Sequence, residues 1–328
     1  MISPSRIAII GCGNLGKRHI ESLVKSKNPM DLFIVDNSDI AIDACLKEFK
    51  FISNQLVRII PSDIDNLPNK LNLVIVATTS DARRLVLVDL ISKKEMDYLL
   101  LEKFLFDEEI QYHEIEKLLS KNSITTWVNE WTSHEKSFIE LASLFGDNKN
   151  IHMRVSGKNW RLCCNSVHFI NFFDFLTNGG SLNLVSSSYD SSLYETKRKG
   201  FLELSGVIEI SNSHGDMLSL ESFAPEDSET THPIYIDIKS DTGEAKCIYQ
   251  ADSLKIQFNN DQNSFFKELK VEYQSAMTLD VTNTILRSGE SKLPDYKTAK
   301  DHHLLLFESF SDEFMKHSSN FSHKIPVT

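Results

Sequence analysis

Five short apolar runs, each separated from the next by a helix-length stretch, constrain this chain more than any other feature. Residues 5–10 end in IAII; DLFIVD (31–36), NLVIVATTS (72–80), YLLLEKF (98–104) and ITTWV (124–128) follow. Runs apolar on successive positions belong to strands buried on both faces, as in a parallel sheet. The intervening stretches read as helices at about 14–27, after Ser38, and at about 82–94 and 107–120. The first is expected to bury Leu15, Leu23 and Val24 before Pro29 ends it, and the second carries Ile40, Ala44, Cys45 and Phe49. Strands alternating with helices of this length give βαβ units, hence a doubly wound parallel α/β sheet.

The pattern changes after residue 128. A helix near 133–145 and a strand near 150–155 precede the helix NSVHFINFFDFL, which stops at Gly179-Gly180. From about 200 to 275 short strands such as VIEIS, MLSLESF, IYIDIK and LKIQF alternate with polar turn clusters such as SNSHGD and NNDQN. That text suits a mainly antiparallel open sheet with one wet face. Helices at about 275–288 and 297–316 close an α+β region, and the last ten residues are expected to fray. The expected division is residues 1–128 as one domain and 129–328 as the other.

A length of 328 residues accommodates two such domains. The net charge of −11 excludes a general nucleic-acid binder or a binder of anionic membranes. The N-terminal apolar run is broken by Gly11, too early for a signal peptide, and no run is long enough to span a bilayer. Five cysteines without a CxxC read as reduced thiols of a cytoplasmic protein, and adjacent Cys163 and Cys164 make a poor disulfide.

Between the first strand and its helix stands GCGNLG. In that context Gly11 permits a tight turn, Gly13 lets the backbone approach a pyrophosphate, and Gly16 lets helix and strand pack closely. Asn14 and Leu15 open the helix whose amides would face the phosphates. Asp36 ends the second strand, where a carboxylate accepts hydrogen bonds from an adenosine ribose and repels a 2′-phosphate. The loop therefore predicts a dinucleotide site with NAD(H) favoured and NADP(H) as the alternative. A methyltransferase loop is a weaker reading, because no acidic residue precedes Gly11, and Asp36 as a plain turn residue is another.

GCGNLGKRH, VIVATTS and LLLEKF, in this order and spacing, resemble the Gfo/Idh/MocA oxidoreductases, named for glucose-fructose oxidoreductase and inositol dehydrogenase. The resemblance covers residues 5–105 and continues more loosely through CNSVHFINFF. It implies that Thr78 and Thr79 lie under a nicotinamide, that Glu102 belongs to the cofactor site, that Lys103 reaches the reacting oxygen and that His168 is the acid/base. Imidazole titrates near neutral pH, and an ammonium stabilises a developing alkoxide, so both types suit alcohol oxidation. The bland alternatives are an ion pair for Lys103 and a packed helix histidine for His168. Two positions depart from the family. Cys164 stands where a carboxylate commonly precedes the histidine by four residues, leaving Asn165 or Asn171 to orient the ring. Phe104 replaces the proline after Glu-Lys; a cis bond there is expected to be costly, so that Lys103 would be presented differently.

Asn129, after the last parallel strand, is a candidate substrate contact. Trp160 could stack on a sugar or sit in the core, and Arg161 could bind a carboxylate or phosphate or lie in solvent. His302-His303 carry no ligand spacing, because neighbours on a helix point to different faces, and no metal is expected. The resulting expectation is an NAD(H)-dependent dehydrogenase acting on an alcohol or ketone of a sugar-like small molecule, assembled as a homodimer or homotetramer. A non-catalytic dinucleotide sensor and an imine or enone reductase are the rivals.

Overall fold

A computed structural model describes residues 3–49, 55–146, 149–224, 232–317 and 324–328. The chain divides into two compact units: 1–106 with 110–129 and 272–297, and 107–109 with 130–271 and 298–328.

In the first unit the chain runs β1 (Ser5–Ile10), α1 (Asn14–Leu23), β2 (Met30–Val35), α2 (Asp39–Phe49), β3 (Val57–Ser62), β4 (Lys70–Val76), α3 (Ser80–Lys93), β5 (Glu95–Leu101), α4 (Glu109–Lys121) and β6 (Thr125–Val128). The six strands are all parallel in the order β3-β2-β1-β4-β5-β6. Winding outward from β1 and then restarting at β4 on its other side creates a switch point between those two strands. Ligands of open α/β sheets bind at the carboxyl ends of the strands there. Two details differ from the sequence reading. Strand β3 was not expected: an edge position tolerates Pro61 and leaves Ile59 and Ile60 only partly buried, which blurs the apolar run. Leu23 and Val24 are fully buried, whereas Leu15 stays half-buried in the exposed loop region.

The second unit begins with a single 3-10 turn at Trp131–Ser133 and continues through α5 (Lys136–Ser143), β7 (His152–Lys158), α6 (Leu162–Leu176) and β8 (Leu182–Tyr189). A small antiparallel pair follows, β9 (Tyr194–Glu195) with β10 (Leu202–Glu203). Then come β11 (Gly206–Asn212), β12 (Met217–Phe223), β13 (Ile234–Lys239), β14 (Gly243–Gln250), β15 (Ser253–Asn260) and β16 (Ser264–Lys270). The eight-stranded sheet has the order β16-β15-β14-β13-β7-β12-β11-β8, antiparallel throughout except for the parallel pair β7/β12. Alternate residues such as Val155, Ile208, Leu220, Ile236 and Ile256 fill one face, as the alternating text requires.

Helix α7 (Gln274–Ser288) corrects the expected boundary. The segment 272–297 returns to the first unit, where Val281, Ile285 and Leu293 join Ile7, Leu23 and Trp127 in one core. Ser22 Oγ accepts the amide of Leu279 at 2.9 Å. Only α8 (Tyr296–His317) serves mainly the second unit. The frayed tail is also corrected from residue 324 onward, since residues 318–323 lie outside the described residues. Ile325 and Val327 are each 1% exposed, and the backbone bonds Ile325 N–H to Asp107 O (2.8 Å) and Leu202 N–H to Pro326 O (2.7 Å) hold them.

Candidate functional site

The glycine loop separates what the protein demands from what it leaves open. Gly11 has φ +101° and a Cβ there would lie 2.9 Å from the Ala77 carbonyl carbon. At Gly16 a Cβ would fall 1.8 Å from Gly11 O, so α1 sits directly against the loop. Gly13, by contrast, is exposed, and a Cβ would meet nothing within 4 Å. It is the N-cap of α1, no side chain caps that end, and the first turn holds no acidic residue. Exposed amides beside a bare α-carbon, at a helix N-terminus and at the switch point, fit a pyrophosphate. Asn14 is exposed and Leu15 half-buried beside them. The Asp36 carboxylate accepts the Cys12 amide at 2.6 Å and the Ser38 amide at 2.9 Å, which fixes it at the mouth of the loop. Each of its oxygens keeps a lone pair for a further donor.

Thr78 and Thr79 follow β4, across the switch point from this loop. Both are half-buried; Thr78 Oγ1 is enclosed without a hydrogen-bond partner, and Thr79 is the N-cap of α3. Lys103 follows β5 and is half-buried. The Lys103–Phe104 bond is cis, so the conformation that proline commonly supports is present without it. The Arg83 guanidinium, 1% exposed, donates to the carbonyls of Phe104, Leu105 (2.8 Å) and Thr78.

Glu102 lies beneath Lys103 rather than at the surface. Its Oε1 accepts from Asn129 Nδ2 at 2.6 Å and lies 2.8 Å from His19 Nε2, while His19 Nδ1 lies 2.9 Å from Thr278 Oγ1 on α7. Burial alone would raise the carboxyl. The hydrogen bond and charge of His19, with Asn129 and the Lys103 ammonium, outweigh it and leave Glu102 below its ordinary value. Glu102 and Asn129 are therefore engaged with each other beneath the loop that carries Lys103. His19 was missed as a site residue; its signal was the histidine three positions after Gly16, which the helix turns towards the end of β5.

In the second unit Arg161, with φ +65°, sits ahead of α6 and its side chain is exposed. Glu203 covers the helix N-terminus, accepting the amides of Cys163 at 2.8 Å and Cys164 at 3.2 Å. His168 is 8% exposed; its carbonyl accepts from Thr132 Oγ1 at 2.6 Å, and its ring lies 5.5 Å from that of Trp131. The Cys164 thiol donates to Thr328 O at 3.0 Å. Three candidates are placed differently from the sequence reading. Trp160 is 5% exposed, donates its indole N–H to Glu221 O and meets Phe169 edge-on, so its faces are packing surface and not a platform. Asn171 is buried and its amide holds the Trp131 turn through Glu130 O, Thr132 Oγ1 and Ser133 Oγ, which leaves it no donor for the His168 ring. Asn165 is half-buried with its amide on Trp160 O.

A second buried cluster was invisible in the sequence. His302 Nδ1 lies 2.7 Å from one oxygen of Glu130, and His303 Nδ1 lies 3.3 Å from the other. Asp174 is 3.6 Å from His302 Nε2. Both adjacent histidines thus lie beside one carboxylate, although the hydrogen bond of His303 Nδ1 runs to Ala299 O at 2.7 Å. Burial disfavours the charged form of His302, but the Glu130 charge and hydrogen bonds to Asp174 and Glu130 raise it to about 10. Among the described residues no group of His, Cys, Asp and Glu is arranged to hold a metal, and no helix is long and apolar enough to cross a membrane. None of the five cysteines forms a disulfide.

No family model and no curated protein matches the sequence. Solved structures do match the fold over nearly the whole chain. A mutant of KijD10, a 3-ketoreductase from Actinomadura kijaniata in complex with TDP-benzene and NADP, is 13% identical over 93% of this chain and 96% of its own, with a TM-score of 0.71. UDP-N-acetylglucosamine 3-dehydrogenase GnnA from Acidithiobacillus ferrooxidans is 12% identical over 94% and 97%, with a TM-score of 0.70. GenD2 from gentamicin A biosynthesis, in complex with NAD, is 12% identical over 96% and 95%, with a TM-score of 0.69. The two-part α/β architecture expected from the sequence is the architecture of these proteins.

Proposed function

We propose that this chain is a nicotinamide-dependent oxidoreductase of the Gfo/Idh/MocA kind, acting on a secondary alcohol or ketone carbon of a sugar or sugar derivative, with NAD(H) preferred. The observation that carries the reading is one sheet edge holding an uncapped glycine-loop helix, the fixed carboxylate of Asp36 and the half-buried Lys103. One structural neighbour is described as a UDP-N-acetylglucosamine 3-dehydrogenase and another as a 3-ketoreductase in complex with TDP-benzene, which supports the substrate class. A carboxylate at the end of β2 favours two free ribose hydroxyls over a 2′-phosphate.

A bound nicotinamide supplies or accepts the hydride. Gly13 and the first amides of α1 hold the pyrophosphate, and Asp36 the adenosine ribose. Lys103 Nζ donates to the reacting oxygen and stabilises its negative charge. Within the second unit we assign proton transfer to the His168 imidazole, with the exposed Arg161 and the half-buried Asn165 as substrate contacts. Tyr235 and Ile248, paired on the exposed face of the sheet, are assigned to a contact between copies of the chain, which light scattering checks. The free thiols suit a reducing cytoplasm.

The test is a titration with NADH and NADPH of the wild type, Asp36→Ala and Gly13→Ala, followed by oxidation assays with NAD and a panel of uridine- and thymidine-diphosphate sugars. NADH should bind more tightly than NADPH. Asp36→Ala should weaken NADH about 10-fold or more, as expected for lost hydrogen bonds to a charged group. Gly13→Ala should weaken it similarly while costing less than about 1 kcal/mol of stability, the usual loss at an N-cap. Binding without turnover on any sugar would favour the sensor; no binding of either nucleotide would remove the reading.

A further inference from the structure

Arg83 stands in an unfavourable place. It lies in the first turn of α3, where the helix macrodipole opposes a cation, and it is 1% exposed. A buried ion is strongly destabilising unless its donors are met. Backbone carbonyls meet its terminal donors at three points: Nη1 reaches Phe104 O and, at 2.8 Å, Leu105 O, and Nη2 reaches Thr78 O. Those carbonyls lie outside the sheet ladder, on the two loops that leave adjacent strands β4 and β5. One loop carries Thr78; the other carries Lys103, one residue before the first carbonyl Arg83 holds. A planar fork with fixed donor directions can join two loops in this way, and a lysine cannot.

We propose that Arg83 is a positioning residue: it ties the loop after β4 to the loop after β5 and so sets the place of Lys103. The proposal rests on the reading of Lys103 given above. Gly13 and Asp36, assigned to the pyrophosphate and the adenosine ribose, do not touch Arg83's carbonyls, so most of the cofactor affinity should separate from Lys103 placement, the Thr78 loop being the part they share. A misplacement of about 1 Å is enough to cost on the order of 100-fold in rate.

The experiment compares wild type, Arg83→Lys, Arg83→Met and Lys103→Ala. NADH is titrated into each, and hydrogen exchange is followed without ligand. Turnover uses NAD and the diphosphate sugar that the wild type oxidises fastest. Arg83→Lys should keep NADH affinity within about 3-fold and lower kcat at least about 10-fold with little change in KM. Residues 102–106 should exchange faster than in the wild type, while β1 and β2 keep their protection. Arg83→Met should lose more than Arg83→Lys on both counts. Unchanged exchange and unchanged kcat in both variants would overturn the proposal. So would joint loss of NADH binding and cooperative unfolding in both, which would make Arg83 a residue of the fold alone. If Lys103→Ala keeps full turnover, the reading of Lys103 fails instead, whatever the Arg83 variants show.

Discussion

Each unit buries one glutamate against a histidine, and the two pairs differ in what surrounds them. In the first, His19 lies between Glu102 and the Thr278 hydroxyl, and Glu102 is followed by Lys103. In the second, His302 lies between two carboxylates, Glu130 and Asp174, with His303 on the far oxygen of Glu130. A single carboxylate with a hydroxyl makes a positional clamp on the loop beside it. Two carboxylates around one ring make an ion cluster, with His302 raised to about 10. The same two residue types lie beneath the loop of Lys103 in one place and form a buried ion cluster in the other.

Substituting each pair in turn tests that contrast. His302→Gln should have the largest effect on stability, about 3–5 kcal/mol, because it breaks a buried ion pair and leaves only His303, at 3.3 Å, beside Glu130. Urea denaturation at pH 7 reads it, and kcat at permissive temperature should barely move; a selective loss of kcat would break the comparison. The pH dependence carries a definite sign. With its folded value raised from 6.5 to about 10, His302 contributes stability that is complete below pH 6.5 and disappears as pH rises through 10. Glu130 is lowered from 4.5: burial opposes this, but His302 and His303 outweigh it. Its contribution is present above pH 4.5 and is lost on acidification. His302→Gln should flatten the alkaline limb of the stability profile.

Lys103→Ala comes next. Removing one donor to a developing negative charge should lower kcat by about 100- to 1,000-fold with NADH binding intact, measured by steady-state kinetics and titration. The smallest effect is expected for His19→Gln. It should lower kcat about 10-fold and cost about 1–2 kcal/mol, since Asn129 still serves Glu102. A His19 variant that lost stability alone would make both pairs structural and erase the contrast.

The parts of the site legible in the sequence are those tied to backbone geometry. Gly11 and Gly16 were readable because a positive φ and a 1.8 Å approach admit nothing else, and Asp36 because a strand must end there. Lys103 was placed by its strand. The α6 polar residues were not readable in the same way. Trp160, just ahead of α6, and Asn171 within it have the chemistry of contact residues, but in a region buried on nearly all sides such groups satisfy neighbouring backbone. Strand β3 escaped notice because an edge needs only half an apolar pattern, and the docked end of the chain because its partners at Asp107 and Leu202 are remote in sequence.

The sequence by itself determined the parallel sheet, the glycine turn and the carboxylate beside it, since period, sterics and strand ends act over a few residues. Only the tertiary structure decided that residues 272–297 return to the first unit, and that His19 clamps Glu102 across 83 positions. It also decided that Arg83 joins two loops and that His302 and His303 share Glu130. The return of 272–297 buries Val281, Ile285 and Leu293, and the others are buried polar groups finding partners; burial obliges such contacts to exist without saying where along the chain they lie.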